Sequence, residues 1–140
     1  MKFLIVGCGR VGSALANLYS HNGHEVSVID EAAEAAANLD ADFDGAFRQG
    51  AGLDVDVLKE AGIEDVDVCI AVTDGDNTNL VVAQIARQQF EVACVVARVF
   101  DPYRAKFYSG RGINVVSPVA LTVDLMHEAV CDFRGEAANE

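Results

Sequence analysis

An apolar run that breaks into a glycine-rich turn constrains this chain more than any other feature. Residues Phe3–Val6 are all apolar, and the segment that follows, Gly7-Cys-Gly-Arg-Val-Gly12, has the pattern G-x-G-x-x-G. A second apolar run ends at Asp30. A strand, a glycine turn, a helix and an acidic residue about twenty positions further on make up a dinucleotide-binding βαβ unit. The pattern therefore predicts a site for an adenine nucleotide.

The three glycines and the acidic residue each have a physical role in this prediction. Gly7 allows a tight turn out of the strand, Gly9 leaves room for a phosphate, and Gly12 lets the helix pack against the sheet. The helix that begins near Arg10 would direct unpaired backbone N–H groups and the positive end of its dipole at phosphate oxygens. Asp30 would accept hydrogen bonds from a ribose diol. A glycine turn that serves packing alone is the alternative.

Length and charge limit the class of protein. The chain has 140 residues and a formal net charge of −12, which fits one domain and disfavours nucleic acid or anionic lipid as a partner. No apolar run reaches the length of about 20 residues that crosses a bilayer, and no signal-peptide pattern follows Met1. We therefore expect a cytoplasmic protein with no direct membrane insertion and no nucleic-acid partner.

Short β-branched apolar runs alternate with helical stretches along the rest of the chain. This alternation predicts an α/β, Rossmann-like single domain with a doubly wound, parallel, six-stranded sheet. The predicted strands are Lys2–Val6, Glu25–Ile29, Gly45–Gln49, Val66–Val72, Ala93–Arg98 and Asn114–Val116. The predicted helices are Arg10–Asn22, Glu31–Asp40, Val55–Ala61, Asp76–Phe90, Pro102–Gly110 and Val119–Val130.

The end of the chain differs from the rest. Residues 132–140 lose the periodicity and are mostly small or acidic, so we expect a nucleotide-binding domain over 1–131 and a frayed acidic tail over 132–140. The last predicted helix carries an apolar stripe that would pack on its own domain or against a second subunit. The stripe consists of Leu121, Leu125, Met126, Ala129 and Val130.

The four cysteines show no metal-ligand spacing. Cys69 and Cys94 lie in predicted buried strands, where a thiol behaves as a small hydrophobe. Cys8 lies in the glycine turn near a helix N-terminus, which would lower the pKa of its thiol, so a redox-sensitive role and a plain loop position both stay open. We predict no metal site.

The glycine turn, together with Thr73-Asp-Gly-Asp-Asn-Thr-Asn-Leu80 and Val96-Ala-Arg-Val99, resembles the potassium-transport nucleotide-binding domain. This domain, also called the RCK N-terminal domain, is the N-terminal part of the cytoplasmic regulatory subunits of Trk (TrkA) and Ktr transporters. An arginine between the second and third glycines is typical of that family and less typical of dehydrogenases. The resemblance covers the chain from Met1 to about Val130.

The resemblance implies a regulatory domain that binds NAD(H) or ATP/ADP and controls potassium transport through a membrane transporter or channel subunit. It implies a homo-oligomer, either a dimer or a ring of dimers, that meets the inner membrane only through its transporter partner. Many members of the family carry a further C-terminal ligand-binding domain beyond this point. No second effector site is predicted for this chain.

The resemblance also assigns nucleotide contacts. Its phosphate loop matches Gly7, Gly9 and Arg10, and its ribose carboxylate matches Asp30; a solvated cation at the helix start is the alternative for Arg10. The complete set of expected nucleotide-binding residues is Gly7, Cys8, Gly9, Arg10, Val11, Gly12, Asp30, Glu31, Ala51, Gly52, Thr73, Asp74 and Arg98.

Three positions after the later strands complete this assignment. Thr73 and Asp74 match the segment after the fourth strand that borders the nucleotide. Arg98 matches an arginine at the end of the fifth strand that faces the site, and an ion pair with a neighbouring acid such as Asp101 is the alternative. Ala51 stands where the family often has an aspartate that meets the adenine edge, so adenine recognition would fall to backbone groups.

The histidines argue against hydride-transfer chemistry, which usually needs an acid or base near the substrate. His21 and His24 flank a turn at the end of the sheet opposite the expected nucleotide, and His127 lies in the last helix. We therefore predict a protein that is not an enzyme and has no catalytic residues. The alternative is the cofactor-binding domain of an NAD-dependent oxidoreductase that another chain completes.

Overall fold

A six-stranded parallel sheet with helices on both faces forms the framework of the computed structural model, which describes residues 1–135. The strands are β1 Lys2–Val6, β2 Glu25–Asp30, β3 Ala46–Gln49, β4 Val68–Ala71, β5 Cys94–Arg98 and β6 Asn114–Val116. Their spatial order is β3-β2-β1-β4-β5-β6, and all neighbours are parallel. The predicted fold class is confirmed.

Five α-helices connect or follow the strands: α1 Arg10–His21, α2 Val55–Glu60, α3 Asp76–Gln84, α4 Pro102–Tyr108 and α5 Pro118–Arg134. A π-helical turn, Ile85–Gln89, continues α3 almost to the predicted end of that helix. Short 3-10 helices cover Ala33–Asn38 and Ile63–Asp65. No helix among residues 1–135 is both long and apolar enough to cross a membrane.

The central strand shows why the sheet has a core on each face. Side chains alternate along a strand, so Phe3 and Ile5 point to the face covered by α1, and Leu4 and Val6 point to the face covered by α2 and α3. All four side chains are at most 4% exposed. Burial on both faces explains the unbroken apolar run that the sequence shows at this strand.

The predicted helix Glu31–Asp40 is wrong in type and length. The segment forms the 3-10 helix Ala33–Asn38, in which no residue is buried. The alanine-rich segment has few apolar side chains large enough to fix an α-helix against the sheet, since only Ala35 and Leu39 pack on the core there, and both are partly buried.

The last helix extends further than predicted and leaves its apolar stripe exposed. α5 continues four residues beyond Val130 to Arg134, so the first residues of the predicted tail are helical, while residues 136–140 of that tail lie outside the described residues. Every residue from 119 to 130 is exposed, including Leu125 at 64% and Met126 at 66%. The apolar stripe therefore does not pack on the described part of its own domain.

Candidate functional site

A crevice of about 280 Å³ opens at the carboxyl edge of the sheet, between the ends of β1 and β4. The chain runs outward from this point in opposite directions, to β2 and β3 on one side and to β5 and β6 on the other. Parallel sheets bind ligands at such a switch point. The lining residues are Val6, Gly7, Gly9, Ile29, Asp30, Glu31, Gly50, Gly52, Val72, Thr73, Asp74, Gly75 and Thr78.

The glycine turn is shaped by close backbone approach. Gly7 has φ of +111°, and a Cβ atom there would lie 2.6 Å from the carbonyl oxygen of Val72. A Cβ atom on Gly12 would lie 1.8 Å from the carbonyl oxygen of Gly7, so only glycine lets α1 begin this close to the strand. The helix starts at Arg10 with no side-chain cap and no acidic residue in its first turn. Its first N–H groups are therefore available to an anion.

Asp30 shapes the crevice as well as lining it. One carboxylate oxygen accepts a hydrogen bond from the backbone N–H of Cys8 at 2.7 Å, and the other accepts from the N–H of Ala32 at 2.8 Å. The side chain of Asn38 donates to the carbonyl of Cys8 at 2.9 Å. A carboxylate oxygen has a second lone pair, so Asp30 can hold the glycine turn and still accept a hydrogen bond from a ribose hydroxyl.

The expectation that the helix N-terminus lowers the pKa of Cys8 is wrong. The side chain is fully buried, and its Sγ donates to the carbonyl of Ala35 at 3.4 Å. Burial raises the pKa of the Cys8 thiol, and the nearby Asp30 carboxylate raises it further. Burial also raises the pKa of Cys69 to about 12. Both groups are therefore neutral thiols at neutral pH.

The opposite wall of the crevice depends on Asn79, which the sequence analysis did not single out. This fully buried side chain accepts hydrogen bonds at Oδ1 from the N–H and the hydroxyl of Thr73, at 2.8 and 2.7 Å. Its Nδ2 donates to the carbonyls of Thr73 and Arg98, at 3.0 and 2.8 Å. Asn79 could have been predicted from the sequence, because it is a polar residue on the buried face of a predicted helix and a buried amide needs hydrogen-bond partners.

Arg98 lies behind this wall and does not line the crevice. Its Nη2 donates to the carbonyls of Val72 and Thr73, at 3.4 and 3.1 Å, and lies 3.8 Å from a carboxylate oxygen of Asp74. The predicted alternative partner, Asp101, instead accepts from the N–H of Tyr103 at the start of α4. Among the described residues, Arg98 Nε is a buried side-chain nitrogen without a hydrogen-bond partner.

The predicted site residues divide into two groups. Those that line the crevice are Gly7, Gly9, Asp30, Glu31, Gly52, Thr73 and Asp74. Those that do not are Cys8, Arg10, Val11, Gly12, Ala51 and Arg98. The crevice is also lined by residues that the sequence patterns did not predict: Gly75 and Thr78 on the α3 side, Gly50, and the apolar floor of Val6, Ile29 and Val72.

The titratable groups that line the crevice are all carboxylates: Asp30, Glu31 and Asp74. In the part of the chain that the structure describes, the lining contains no histidine, lysine, cysteine or tyrosine. His24 lies near the amino terminus at the opposite edge of the sheet, where its Nδ1 is 3.1 Å from the nitrogen of Met1. The crevice can therefore bind phosphate through backbone N–H groups and hydroxyls through carboxylates.

Comparison with known proteins agrees with this geometry. The family model of the TrkA-N domain matches residues 3–118. The Trk system potassium uptake protein TrkA of Streptomyces coelicolor is 45% identical over 126 residues, which cover 90% of this chain and 56% of that protein. A TrkA homolog of Methanothermobacter thermautotrophicus is 35% identical over 119 residues, which cover 84% and 55%. The chain thus spans about half the length of these two relatives.

Two solved structures show the same fold at low sequence identity. The Shewanella denitrificans Kef CTD in AMP-bound form has a TM-score of 0.78 at 20% identity, over 99% of this chain and 85% of that one. The GsuK channel bound to NAD has a TM-score of 0.71 at 20% identity, over 88% of this chain and 22% of that one.

Proposed function

This chain belongs to the TrkA-N domain family, and from that membership and the crevice we propose that it is a nucleotide-binding regulatory domain of a Trk-type potassium uptake system. NAD(H) or ATP/ADP is the proposed ligand. The domain would act in the cytoplasm, as a homo-oligomer, on a membrane transporter or channel subunit. The nucleotide would be bound and released without being converted.

The start of α1 supports this proposal more than any other observation. Its uncapped first turn opens beside a crevice that Asp30 lines, and Asp30 also holds the backbone of the glycine turn. Phosphate at the helix start and a ribose at the carboxylate would use both features. The Kef domain that shares this fold is bound to AMP, and the GsuK channel is bound to NAD.

The lining of the crevice favours a sensor over an oxidoreductase. Transfer of a hydride to or from an alcohol needs a group that gives or takes a proton. The described lining offers only carboxylates for this, of which Asp30 contacts backbone N–H groups and Asp74 lies 3.8 Å from Arg98 Nη2. The oxidoreductase alternative would need that group from another chain.

Regulation requires that the nucleotide bind two states of the assembly with different affinity. Arg10 is exposed at the start of α1 and does not line the crevice of its own chain. We propose that it reaches phosphate bound in a neighbouring subunit, and that the exposed apolar side of α5 holds the subunits together. Subunit geometry would then respond to occupancy of the crevice.

Calorimetry with adenosine, ADP and NADH tests this function. A charge-assisted hydrogen bond contributes about 1.5–3 kcal/mol, so Arg10→Ala should weaken ADP and NADH roughly tenfold to a hundredfold and leave adenosine unchanged. The control is Arg111→Ala, because Arg111 is an exposed arginine that packs on Phe107 outside the crevice. Failure of every nucleotide to bind would refute the proposed function, and steady NADH oxidation with a small carbonyl substrate would favour the oxidoreductase.

A further inference from the structure

The two helix starts that face the crevice carry opposite charge. The first turn of α1 has no acidic residue and contains Arg10. The first turn of α3 contains Asp76, and the fully exposed Asp74 comes two residues earlier. Carboxylates at a helix N-terminus offset the positive end of its dipole. Neither helix start has a side-chain cap, so the carboxylates make the start of α3 less favourable for a phosphate than the start of α1.

The hydroxyl of Thr73, which lines the α3 side, has its hydrogen committed inside the protein. Asn79 Oδ1 lies 2.7 Å from Thr73 Oγ1 and can only accept, so Thr73 donates to it. The amide of Asn79 cannot be turned round, because its Nδ2 faces the carbonyls of Thr73 and Arg98. The backbone N–H of Gly75 donates to Thr73 Oγ1 at 3.3 Å, so the hydroxyl offers a ligand in the crevice one remaining lone pair and no hydrogen.

The described cation that contacts this side of the crevice is Arg98. Its Nη2 donates to the carbonyls of Val72 and Thr73 and lies 3.8 Å from a carboxylate oxygen of Asp74, an ion pair that solvent weakens because Asp74 is fully exposed. The α3 side of the crevice thus combines the Thr73 acceptor, the Asp74 carboxylate and a helix start whose dipole Asp76 offsets, beside the hydroxyl of Thr78.

We propose that Asn79, by holding Thr73 as an acceptor, makes the α3 side of the crevice select a hydrogen-bond donor. The ligand class that fits has a pyrophosphate for α1 and a second sugar, with free hydroxyls, for Thr73 and Asp74. This class includes NAD(H) and ADP-ribose, and the charges on the α3 side disfavour a third phosphate there. The inference rests on the proposed function, and it favours a dinucleotide over ATP as the ligand.

Calorimetry on the full chain with ADP, ADP-ribose, NAD and ATP tests it. ADP-ribose adds only the second sugar to ADP, so it should bind at least about fivefold tighter, while ATP should bind no tighter than ADP. Equal affinity of ADP and ADP-ribose, or tighter binding of ATP than of ADP-ribose, would refute the inference and leave the nucleotide site standing. Failure of all four ligands would refute both the inference and the proposed function.

Three variants of hydroxyl-bearing residues assign the effect to one hydroxyl. Thr73→Val removes the hydroxyl at nearly constant volume and should weaken ADP-ribose about threefold to tenfold with ADP unchanged. Thr73→Ser should retain the preference for ADP-ribose. Ser20→Ala removes a hydroxyl near the C-terminal end of α1, where it accepts from the N–H of Asp44, and should change neither affinity. An unchanged preference in Thr73→Val would overturn the assignment.

A variant of Asn79 tests the cause. Asn79→Ala frees the Thr73 hydroxyl to donate, so the ratio of ADP-ribose to ATP affinity should fall. A ratio equal to that of the wild type in a folded Asn79→Ala protein would refute the role of Asn79. If Asn79→Ala does not fold, the comparison of Thr73→Val with Thr73→Ser tests the proposal without it.

Discussion

Asp30 shows how one residue can serve both folding and binding. Its carboxylate accepts from the N–H groups of Cys8 and Ala32, and these bonds hold the glycine turn in the conformation that exposes the start of α1. The same carboxylate lines the crevice where the proposed ribose would lie. Loss of this side chain should therefore affect stability and ligand selectivity together.

We predict that Asp30→Ala lowers the free energy of unfolding by about 2 kcal/mol or more, because two partly buried N–H groups lose a charged acceptor. The variant should also narrow the preference for NADH over NADPH. In the wild type, two charges about 4 Å apart repel by roughly 1 kcal/mol in water and about 4 at an effective dielectric of 20, which disfavours the 2′-phosphate. Urea denaturation and calorimetry measure the two effects.

Glu31→Ala is the matched control for Asp30→Ala, because Glu31 also lines the crevice. Its described hydrogen bond, from Gln49, is to its backbone carbonyl and not to its carboxylate. It should leave the free energy of unfolding nearly unchanged. Equal affinity of the wild type for NADH and NADPH would remove Asp30 from the ribose role.

The buried thiol of Cys8 leads to a second prediction at the same scale. Because burial and Asp30 raise its pKa, Cys8 should resist alkylation by iodoacetamide at pH 8 in the folded protein, and so should Cys69. Cys94 is only partly buried and should react faster. Peptide mapping by mass spectrometry measures the extent of alkylation at each cysteine. Rapid alkylation of Cys8 in the folded protein would contradict the prediction, because it would show that the thiol is accessible and ionised.

At the scale of elements, the first turn of α3 joins two loops at the carboxyl edge of the sheet. Asn79 ties it to Thr73 after β4, and the carboxylate of Asp76 accepts from the N–H groups of Phe100 and Asp101 after β5, at 2.8 and 3.0 Å. Asp76 therefore lies between α3 and the start of α4.

We predict that Asp76→Ala lowers the free energy of unfolding by about 1–3 kcal/mol, because two backbone N–H groups lose their acceptor. Asp74→Ala removes the same charge two residues earlier, from a fully exposed side chain, and should change stability by less than about 0.5 kcal/mol. Urea denaturation of both variants gives the comparison. Equal effects would mean that charge at the start of α3, rather than the Asp76 contacts, sets stability.

At the scale of the whole molecule, residues 119–130 of α5 form a surface that the described part of the domain leaves exposed. Large apolar side chains are spread over these residues, although the described domain has a closed core on each side of its sheet. An exposed apolar surface of this kind usually marks a protein interface. This agrees with the proposal that the chain assembles with copies of itself.

We predict that the protein sediments as a dimer or a larger species at micromolar concentration, and that Leu125→Glu shifts it toward monomer. Leu18→Glu is the control, because Leu18 on α1 is a leucine of similar exposure, at 51% against 64%. Sedimentation velocity with and without nucleotide measures the distribution. A monomeric wild type in both conditions would contradict the proposed assembly and leave the nucleotide site unaffected.

Local patterns in the sequence were enough to predict the sheet and the α1 side of the crevice. The glycine turn, the start of α1 and the carboxylate at the end of β2 are marked by the G-x-G-x-x-G pattern and by hydrophobic periodicity, which are visible in short stretches of the sequence. The same reasoning failed for Ala33–Asn38, where few apolar side chains fix the type of helix.

The other half of the crevice and the surface of the molecule were decided by tertiary structure. Asn79 meets Thr73 and Arg98 only because α3 packs beside the ends of β4 and β5, and the Cys8 thiol is neutral because the 3-10 helix covers it. The stripe on α5 has the period of a core helix, yet it is exposed. The spacing of apolar residues shows which side chains share one face of a helix. Only the packed structure decides what that face contacts.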